Sequence, residues 1–88
     1  MLSFIVPAYN EEFELPSTLE AIRSAANGRA HEIIVADDAS TDRTSAIGRE
    51  AGAKVVFIDR RQIAAARNAG ARAAGGDVLF FVDADTRI

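Results

Sequence analysis

The chain has 88 residues, of which 49% are hydrophobic and 26% are charged, and its net charge is −3. This composition is typical of one globular domain over residues 1–88, and the acidic balance argues against general nucleic-acid binding. Cysteine is absent, which excludes a disulfide framework, a thiol nucleophile and a cysteine-based zinc site. No apolar run approaches the roughly 20 residues of a membrane span, and the N-terminal residues lack the features of a signal peptide.

Short apolar segments alternate with helix-like segments from one end of the chain to the other. The predicted strands cover residues 2–7, 31–38, 54–58 and 78–82, and the predicted helices cover residues 15–28, 40–52 and 62–76. Pro7 is expected to end the first strand, and Pro16 suits the first turn of the first helix. Ser40 or Thr41 is the expected N-cap of the second helix, whose apolar face is thin and relies on alanine and Ile47.

The order β-α-β-α-β-α-β predicts a parallel sheet with helices on its faces, because each helical crossover returns the chain to the same edge of the sheet. The fold class that follows is α/β, a three-layer Rossmann-like parallel sheet. The second and fourth strands contain the nearly continuous apolar runs IIVA and VLFFV. Such runs are typical of strands that are covered on both faces.

The unusual polar residues collect just after the predicted strands. In chain order these segments are Pro7-Ala8-Tyr9-Asn10-Glu11, Asp37-Asp38-Ala39-Ser40, Asp59-Arg60-Arg61 and Asp83-Ala84-Asp85. Open parallel sheets bind their ligands outside the carboxyl ends of the strands. We therefore expect Tyr9, Asp38 and Asp85 to lie on one rim of the molecule, with Arg67 close by.

The residue types on this rim suit a nucleotide diphosphate and a metal ion. Asp83 and Asp85 suit Mg²⁺ or Mn²⁺, which bind through one or two carboxylates together with substrate phosphates. The remaining phosphate charge would be balanced by arginines on or before the third helix, namely Arg60, Arg61, Arg67 and Arg72. Tyr9 offers a ring for a flat base, and Asp38 offers an acceptor for an imide N–H. Turn formation and helix capping are the alternative interpretation of both acidic pairs.

Four segments resemble, in order and approximate spacing, the N-terminal half of the inverting family-2 glycosyltransferases. They are FIVPAYNEE, EIIVADDASTD, AARNAGARAAGGD and VLFFVDADTRI. The resemblance implies a partial GT-A fold. It also implies metal-assisted transfer of a sugar from a UDP- or GDP-linked donor to an acceptor hydroxyl. This chain would be the donor-binding half of such an enzyme. The expected location is the cytoplasm, and the alternative for the complete enzyme is association with a membrane.

The resemblance also implies a role for individual residues. Tyr9 matches the position whose ring lies against the base, and Asp38, with Asp37 beside it, matches the carboxylate at the base edge. Arg67 matches an arginine near the base and phosphates. Asp83 matches the first acid of the family's Asp-x-Asp, near the ribose and metal, and Asp85 matches the metal ligand. Pro7 and Glu11, which flank the tyrosine, complete the expected nucleotide-binding set.

Family members carry a further segment that binds the acceptor and supplies the general base. Glu11, Glu12 and Glu14 lie on the wrong loop for that base, so we expect it to be outside this chain. Without that segment the strand VLFFV, residues 78–82, exposes an apolar edge. We therefore expect the chain to associate with itself through this edge.

Three other interpretations are open at this point. A nucleotide-binding or self-assembling module without catalytic activity fits the same half-fold. The segment VLFFVDADT is also similar to the opening motif of haloacid-dehalogenase-type phosphatases, with Asp83 as nucleophile, although Thr86 comes one residue too early. A receiver-like signalling domain would use the pair Asp37 and Asp38, but such domains need a late lysine, and Lys54 is the sole lysine here.

Overall fold

The computed structural model describes residues 1–84, which form four strands and three helices. In chain order these are β1 (Leu2–Ala8), α1 (Leu15–Ala26), β2 (His31–Asp38), α2 (Thr44–Glu50), β3 (Lys54–Ile58), α3 (Ile63–Ala73) and β4 (Val78–Phe81). All neighbouring strands are parallel, in the order β3-β2-β1-β4. The predicted alternation and the parallel sheet are therefore confirmed. The expected metal ligand Asp85 lies outside the described residues.

The helices cover the two faces of the sheet in separate layers. The inner face of α1 is formed by Leu15, Leu19, Ile22 and Ala26, which are all buried, as their spacing predicts. They pack with Phe4, Val6 and Val35, and α2 joins this side through Ile47. On the opposite face α3 crosses β1 at Gly70, where a Cβ atom would collide with the side chain of Ile5. The absence of a side chain at this glycine lets the helix lie close to the sheet.

The first strand does not end at Pro7, contrary to the prediction. β1 continues to Ala8, and its ladder with β2 pairs Pro7 with Ala36. Proline is tolerated here because β4 pairs with β1 only from Leu2 to Ile5. The carbonyl of Ile5 accepts the last bond from that side. Two residues further on, the missing N–H of Pro7 faces the same side, where no β4 ladder needs it.

The expected N-cap of α2 is also wrong, because the helix begins at Thr44. Ser40 and Thr41 instead hold the loop that follows β1. The Ser40 hydroxyl accepts a hydrogen bond from the backbone N–H of Asn10 at 2.8 Å. The backbone N–H of Thr41 donates to the Asn10 side chain, also at 2.8 Å. These two residues form hydrogen bonds to the neighbouring loop rather than capping the helix. The helix α2 therefore begins about one turn later than predicted.

The two apolar strands differ in their burial. β2 is buried from Ile33 to Asp38, which confirms the prediction for that strand. All four residues of β4 are exposed by 41% to 48%, so the prediction of cover on both faces is wrong for β4 in the part of the chain described. There β4 pairs with β1 alone, and the ring of Phe80 stacks on that of Phe4 with 5.2 Å between the ring centroids. The apolar edge expected for this chain is present.

Within residues 1–84, none of the helices combines the length and the apolar character needed to cross a bilayer.

Candidate functional site

A cleft of about 450 Å³ opens where the carboxyl ends of the strands meet. Six of the residues expected on this rim line it: Pro7, Tyr9, Glu11, Asp38, Arg67 and Asp83. They come from the last residues of β1 and β2, from the loop after β1, from α3 and from the segment after β4. The expectation that these distant segments meet at one edge is confirmed by this arrangement.

The loop that carries Tyr9 is held by polar groups from the first residue of α2 and from the segment before it. The backbone N–H of Glu11 donates to the Thr44 hydroxyl at 2.9 Å, and that of Glu12 donates to the Asp42 carboxylate at 3.2 Å. Thr44 is fully buried. Burial raises the pKa of the Asp42 carboxyl, but hydrogen bonds from Thr44 and the N–H of Glu12 outweigh it, so the net pKa is lowered. The backbone of the loop that carries Tyr9 is therefore held in place by these hydrogen bonds.

Asp38 uses its carboxylate to organise the loop after β3. One oxygen, Oδ1, accepts the backbone N–H groups of Arg60 and Arg61, and Oδ2 accepts that of Gln62, each at 2.8 Å. The side chain is buried at the floor of the cleft. Burial raises the pKa of the Asp38 carboxyl, but the three N–H donors outweigh it, so this pKa lies below its ordinary value. The residue is therefore a carboxylate at neutral pH.

Arg61 covers the tyrosine ring. Its Cζ atom lies 3.9 Å from the centroid of Tyr9, which is the geometry of a cation–π contact. Arg61 adopts a left-handed backbone conformation with φ of 51°, and Asn10 and Ala39 do so after β1 and β2. Non-glycine residues in this conformation store strain and concentrate at functional sites. Three of the four non-glycine residues with this conformation among residues 1–84 lie at the rim, and the fourth, Asn27, ends α1.

Arg67 and Asp83 face each other across the cleft. Their guanidinium and carboxylate groups lie 3.8 Å apart, and the side chains are 45% and 57% exposed. Val82 and Ala84 are buried on either side of the aspartate, so that Asp83 alone points outward. The Thr18 hydroxyl of α1 donates to the carbonyl of Ala84 and holds this turn. Because both side chains are about half exposed, the two charged groups are accessible to a ligand. An ion pair of this kind contributes little to stability, so a ligand can replace it at low cost.

Asp37, which was expected at the base edge beside Asp38, does not line the cleft. Successive side chains of a strand point to opposite faces of the sheet. Asp37 therefore turns toward α2, where it is fully buried and accepts the backbone N–H of Ser40 at 3.0 Å and the Ser45 hydroxyl. Its position supports a structural role in the β2–α2 turn rather than direct contact with a nucleotide.

The four candidate arginines separate into two pairs. Arg61 and Arg67 line the cleft, whereas Arg60 and Arg72 line a second cavity of about 250 Å³ beside α3. The structure also adds Gln62, Ile63 and Ala66 to the cleft wall, which the sequence analysis missed. Their position at the start of a helix that follows a strand was the available signal, because helix N-termini face the carboxyl edge of a parallel sheet.

The donor groups of the cleft fit a hard divalent cation. Asp83 supplies an accessible carboxylate, and Mg²⁺ or Mn²⁺ needs only one or two of these when substrate phosphates complete the coordination. A group of three or more acidic, histidine or cysteine ligands does not occur among residues 1–84. The accessible carboxylate of Asp83 therefore suits a divalent cation whose other ligands include substrate phosphates.

Comparison with known proteins places these observations in context. The family model described as "Glycosyl transferase family 2" matches residues 3–88. The 4,4'-diaponeurosporenoate glycosyltransferase of Staphylococcus haemolyticus is 39% identical over an alignment of 94 positions. The alignment covers 99% of this chain and 24% of that protein. The undecaprenyl-phosphate 4-deoxy-4-formamido-L-arabinose transferase of Pseudomonas paraeruginosa is 37% identical over an alignment of 94 positions. The alignment covers 97% of this chain and 28% of that protein.

A solved structure shows the same likeness in three dimensions. The glucosyl-3-phosphoglycerate synthase of Mycobacterium tuberculosis, crystallised with Mn²⁺, UDP and glucosyl-3-phosphoglycerate, superimposes with a TM-score of 0.84 at 28% identity. The match covers 99% of this chain and 35% of that one. The chain thus spans less than a third of the length of the curated relatives described above.

Proposed function

This chain belongs to glycosyl transferase family 2, and on that premise we propose that its cleft binds the nucleotide diphosphate of a sugar donor. The predicted GT-A type of α/β fold is confirmed by the structural match. The observation that carries the proposal is the meeting of Tyr9, Asp38, Arg67 and Asp83 in one cleft. Sugar transfer to an acceptor hydroxyl is proposed for the whole protein.

The base would lie between the loops after β1 and β3. Tyr9 is 38% exposed and offers a ring on which a base can stack. Asp38 already receives two N–H donors on Oδ1 but only one on Oδ2. A carboxylate oxygen accepts about two hydrogen bonds, so Oδ2 retains capacity for the imide N–H of uracil. The same carboxylate therefore shapes the loop and can read the edge of the base.

The diphosphate would lie nearer to α3 and β4. The guanidinium of Arg67 suits phosphate oxygens, and the N-terminus of α3 adds a positive partial charge to the same wall. Asp83, together with Asp85, would hold Mg²⁺ or Mn²⁺. When bound, the metal supplies positive charge that offsets the charge growing on the departing diphosphate. The mycobacterial synthase was crystallised with Mn²⁺ and UDP, which supports a divalent metal and a nucleotide diphosphate as the proposed ligands of the cleft.

Two of the three alternative interpretations agree less well with these observations. A receiver-like site needs its acids together, whereas Asp37 and Asp38 lie on opposite faces of β2. A phosphatase nucleophile at Asp83 is the alternative for the last segment, but the family match extends over the strands and helices before it. A nucleotide-binding module without catalysis would use the same cleft, and binding without turnover would identify it.

Titration of the chain with UDP and GDP, with and without Mn²⁺, tests the proposal. Tyr9 is the sole tyrosine and tryptophan is absent, so intrinsic fluorescence reports on this ring directly. We expect UDP to bind more tightly with Mn²⁺ present, and Asp85→Ala and Asp83→Asn to reduce that metal effect. Asp59→Asn, at an exposed acid after β3, is the matched control and should behave as the parent.

Two outcomes would count against the proposal. Failure of the folded chain to bind either nucleotide, measured by calorimetry, would remove the nucleotide site itself. Binding that is indifferent to Mn²⁺ in the parent would leave the nucleotide site but reject the metal role of Asp83 and Asp85.

A further inference from the structure

One face of the Tyr9 ring, on which a base could stack, is already covered by the protein. The Cζ atom of Arg61 lies 3.9 Å from the centroid of the Tyr9 ring. Stacked planar groups sit about 3.5 Å apart, so a base inserted between the two would need a gap of roughly 7 Å. A base can therefore reach this face of Tyr9 only when the guanidinium leaves it.

The backbone and the side chain of Arg61 differ in their freedom. The backbone is held by the bond from its N–H to Asp38, with neighbouring bonds from Arg60 and Gln62, and it adopts the left-handed conformation. The side chain beyond the backbone is exposed and is long enough to rotate about its own bonds. Movement of the guanidinium therefore requires no change in the loop that carries it.

We propose that Arg61 is a mobile cation of the cleft, which covers Tyr9 when no ligand is bound and moves to the diphosphate when a nucleotide binds. This inference rests on the proposed function, since it assigns a task to one residue of the same cleft. Arg67 is paired with the Asp83 carboxylate at 3.8 Å, whereas the Arg61 guanidinium contacts a neutral ring, and phosphate oxygens would offer it charge-assisted hydrogen bonds in exchange for that contact. The exchange uncovers the stacking face as the charged end of the ligand is captured.

The first test measures how accessible Tyr9 is to acrylamide by quenching of its fluorescence. Loss of a cation–π contact of this kind changes the ratio of open to covered rings by about two- to fivefold. We expect Arg61→Ala to raise the quenching constant. Arg60→Ala is the matched control, because it removes the same charge from the same loop while its side chain lines the other cavity. Far-ultraviolet circular dichroism checks that both variants are folded.

The second test uses the unaltered chain and inorganic pyrophosphate, which carries no base. If Arg61 moves to phosphate, pyrophosphate uncovers Tyr9 and raises its quenching by acrylamide, and it does the same in Arg60→Ala. Arg61→Ala should show no further increase. Because pyrophosphate cannot stack on the ring, a passive role for Arg61 would leave the quenching unchanged.

The outcomes separate this inference from the proposed function. UDP binding by the parent, with no change of Tyr9 quenching by pyrophosphate, would overturn the mobile role of Arg61 and leave the nucleotide site in place. Equal quenching constants for the parent and folded Arg61→Ala would overturn the ring contact itself. Absence of any nucleotide binding would reject the proposed function, whatever the quenching shows, and this inference with it.

Discussion

The backbone N–H of Arg61 donates a hydrogen bond to the Asp38 carboxylate at 2.8 Å, across 23 residues of sequence. This bond joins the end of β2 to the loop before α3, and it turns the left-handed residue so that its side chain reaches Tyr9. One buried carboxylate therefore organises two walls of the cleft. Its loss should affect stability as well as ligand binding.

We expect Asp38→Ala to lower the free energy of unfolding by about 3 kcal/mol, because three backbone N–H groups would lose their acceptor in a buried position. Urea denaturation, followed by circular dichroism, measures the difference. Asp59→Ala is the control, since this acid belongs to the same loop but is exposed. A change for Asp38→Ala no larger than that for Asp59→Ala would contradict the structural role of the carboxylate.

The lowered pKa of the Asp38 carboxyl predicts a dependence of stability on pH. Its pKa in the folded state lies below that in the unfolded state, so the stabilisation is complete above about pH 4 and is lost as the pH falls through the folded-state pKa. The parent should therefore lose more stability on acidification than Asp38→Asn, which cannot titrate. Urea midpoints measured between about pH 6 and pH 3 give the comparison. Parallel curves for the two proteins would show that this carboxyl is not linked to folding.

Thr44 connects the loop of Tyr9 to the start of α2. Replacement by valine keeps the shape but removes the hydroxyl that accepts the N–H of Glu11 and donates to Asp42. We expect Thr44→Val to lower the free energy of unfolding by about 2 kcal/mol and to weaken UDP binding. Thr41→Val, at an exposed position of the same segment, should change stability by less than about 0.5 kcal/mol. Equal effects of the two substitutions would show that the buried hydroxyl contributes no more to stability than the exposed one.

Self-association of the chain through the exposed edge of β4 remains a prediction. Leu79 is 41% exposed on this strand, and the pairing of such apolar edges is opposed by charged side chains. We expect the chain to associate as its concentration rises in analytical ultracentrifugation. Leu79→Lys should raise the concentration needed by roughly tenfold, since burial of an unpaired charge is costly.

Phe13→Lys provides the control for that experiment. Phe13 is 88% exposed in the loop before α1, so the same exchange of an apolar side chain for a lysine is made away from the strand. Sedimentation of the unaltered chain as a monomer at every concentration would reject self-association. Equal suppression by Phe13→Lys would show that β4 is not the surface involved.

Local patterns in the sequence were enough to predict the α/β class. The spacing of Leu15, Leu19 and Ile22 predicted the inner face of α1, and the apolar run IIVA predicted a strand covered on both faces, which β2 is, although the same kind of run in β4 is exposed. These features depend on the 3.6-residue period of a helix and the continuous apolar character of a covered strand. The expected rim followed from the same reasoning, because parallel strands end at the same edge of a sheet.

Neighbouring residues that look equivalent in sequence were separated only by the tertiary structure. Asp37 and Asp38 are the same residue type, yet the sheet turns one toward Ser45 and the other into the cleft. Patterns among neighbours along the chain were enough to identify which segments end at the rim. The cover of Tyr9 by Arg61 and the burial of Asp38 were decided by tertiary structure, because they depend on which segments pack together in space.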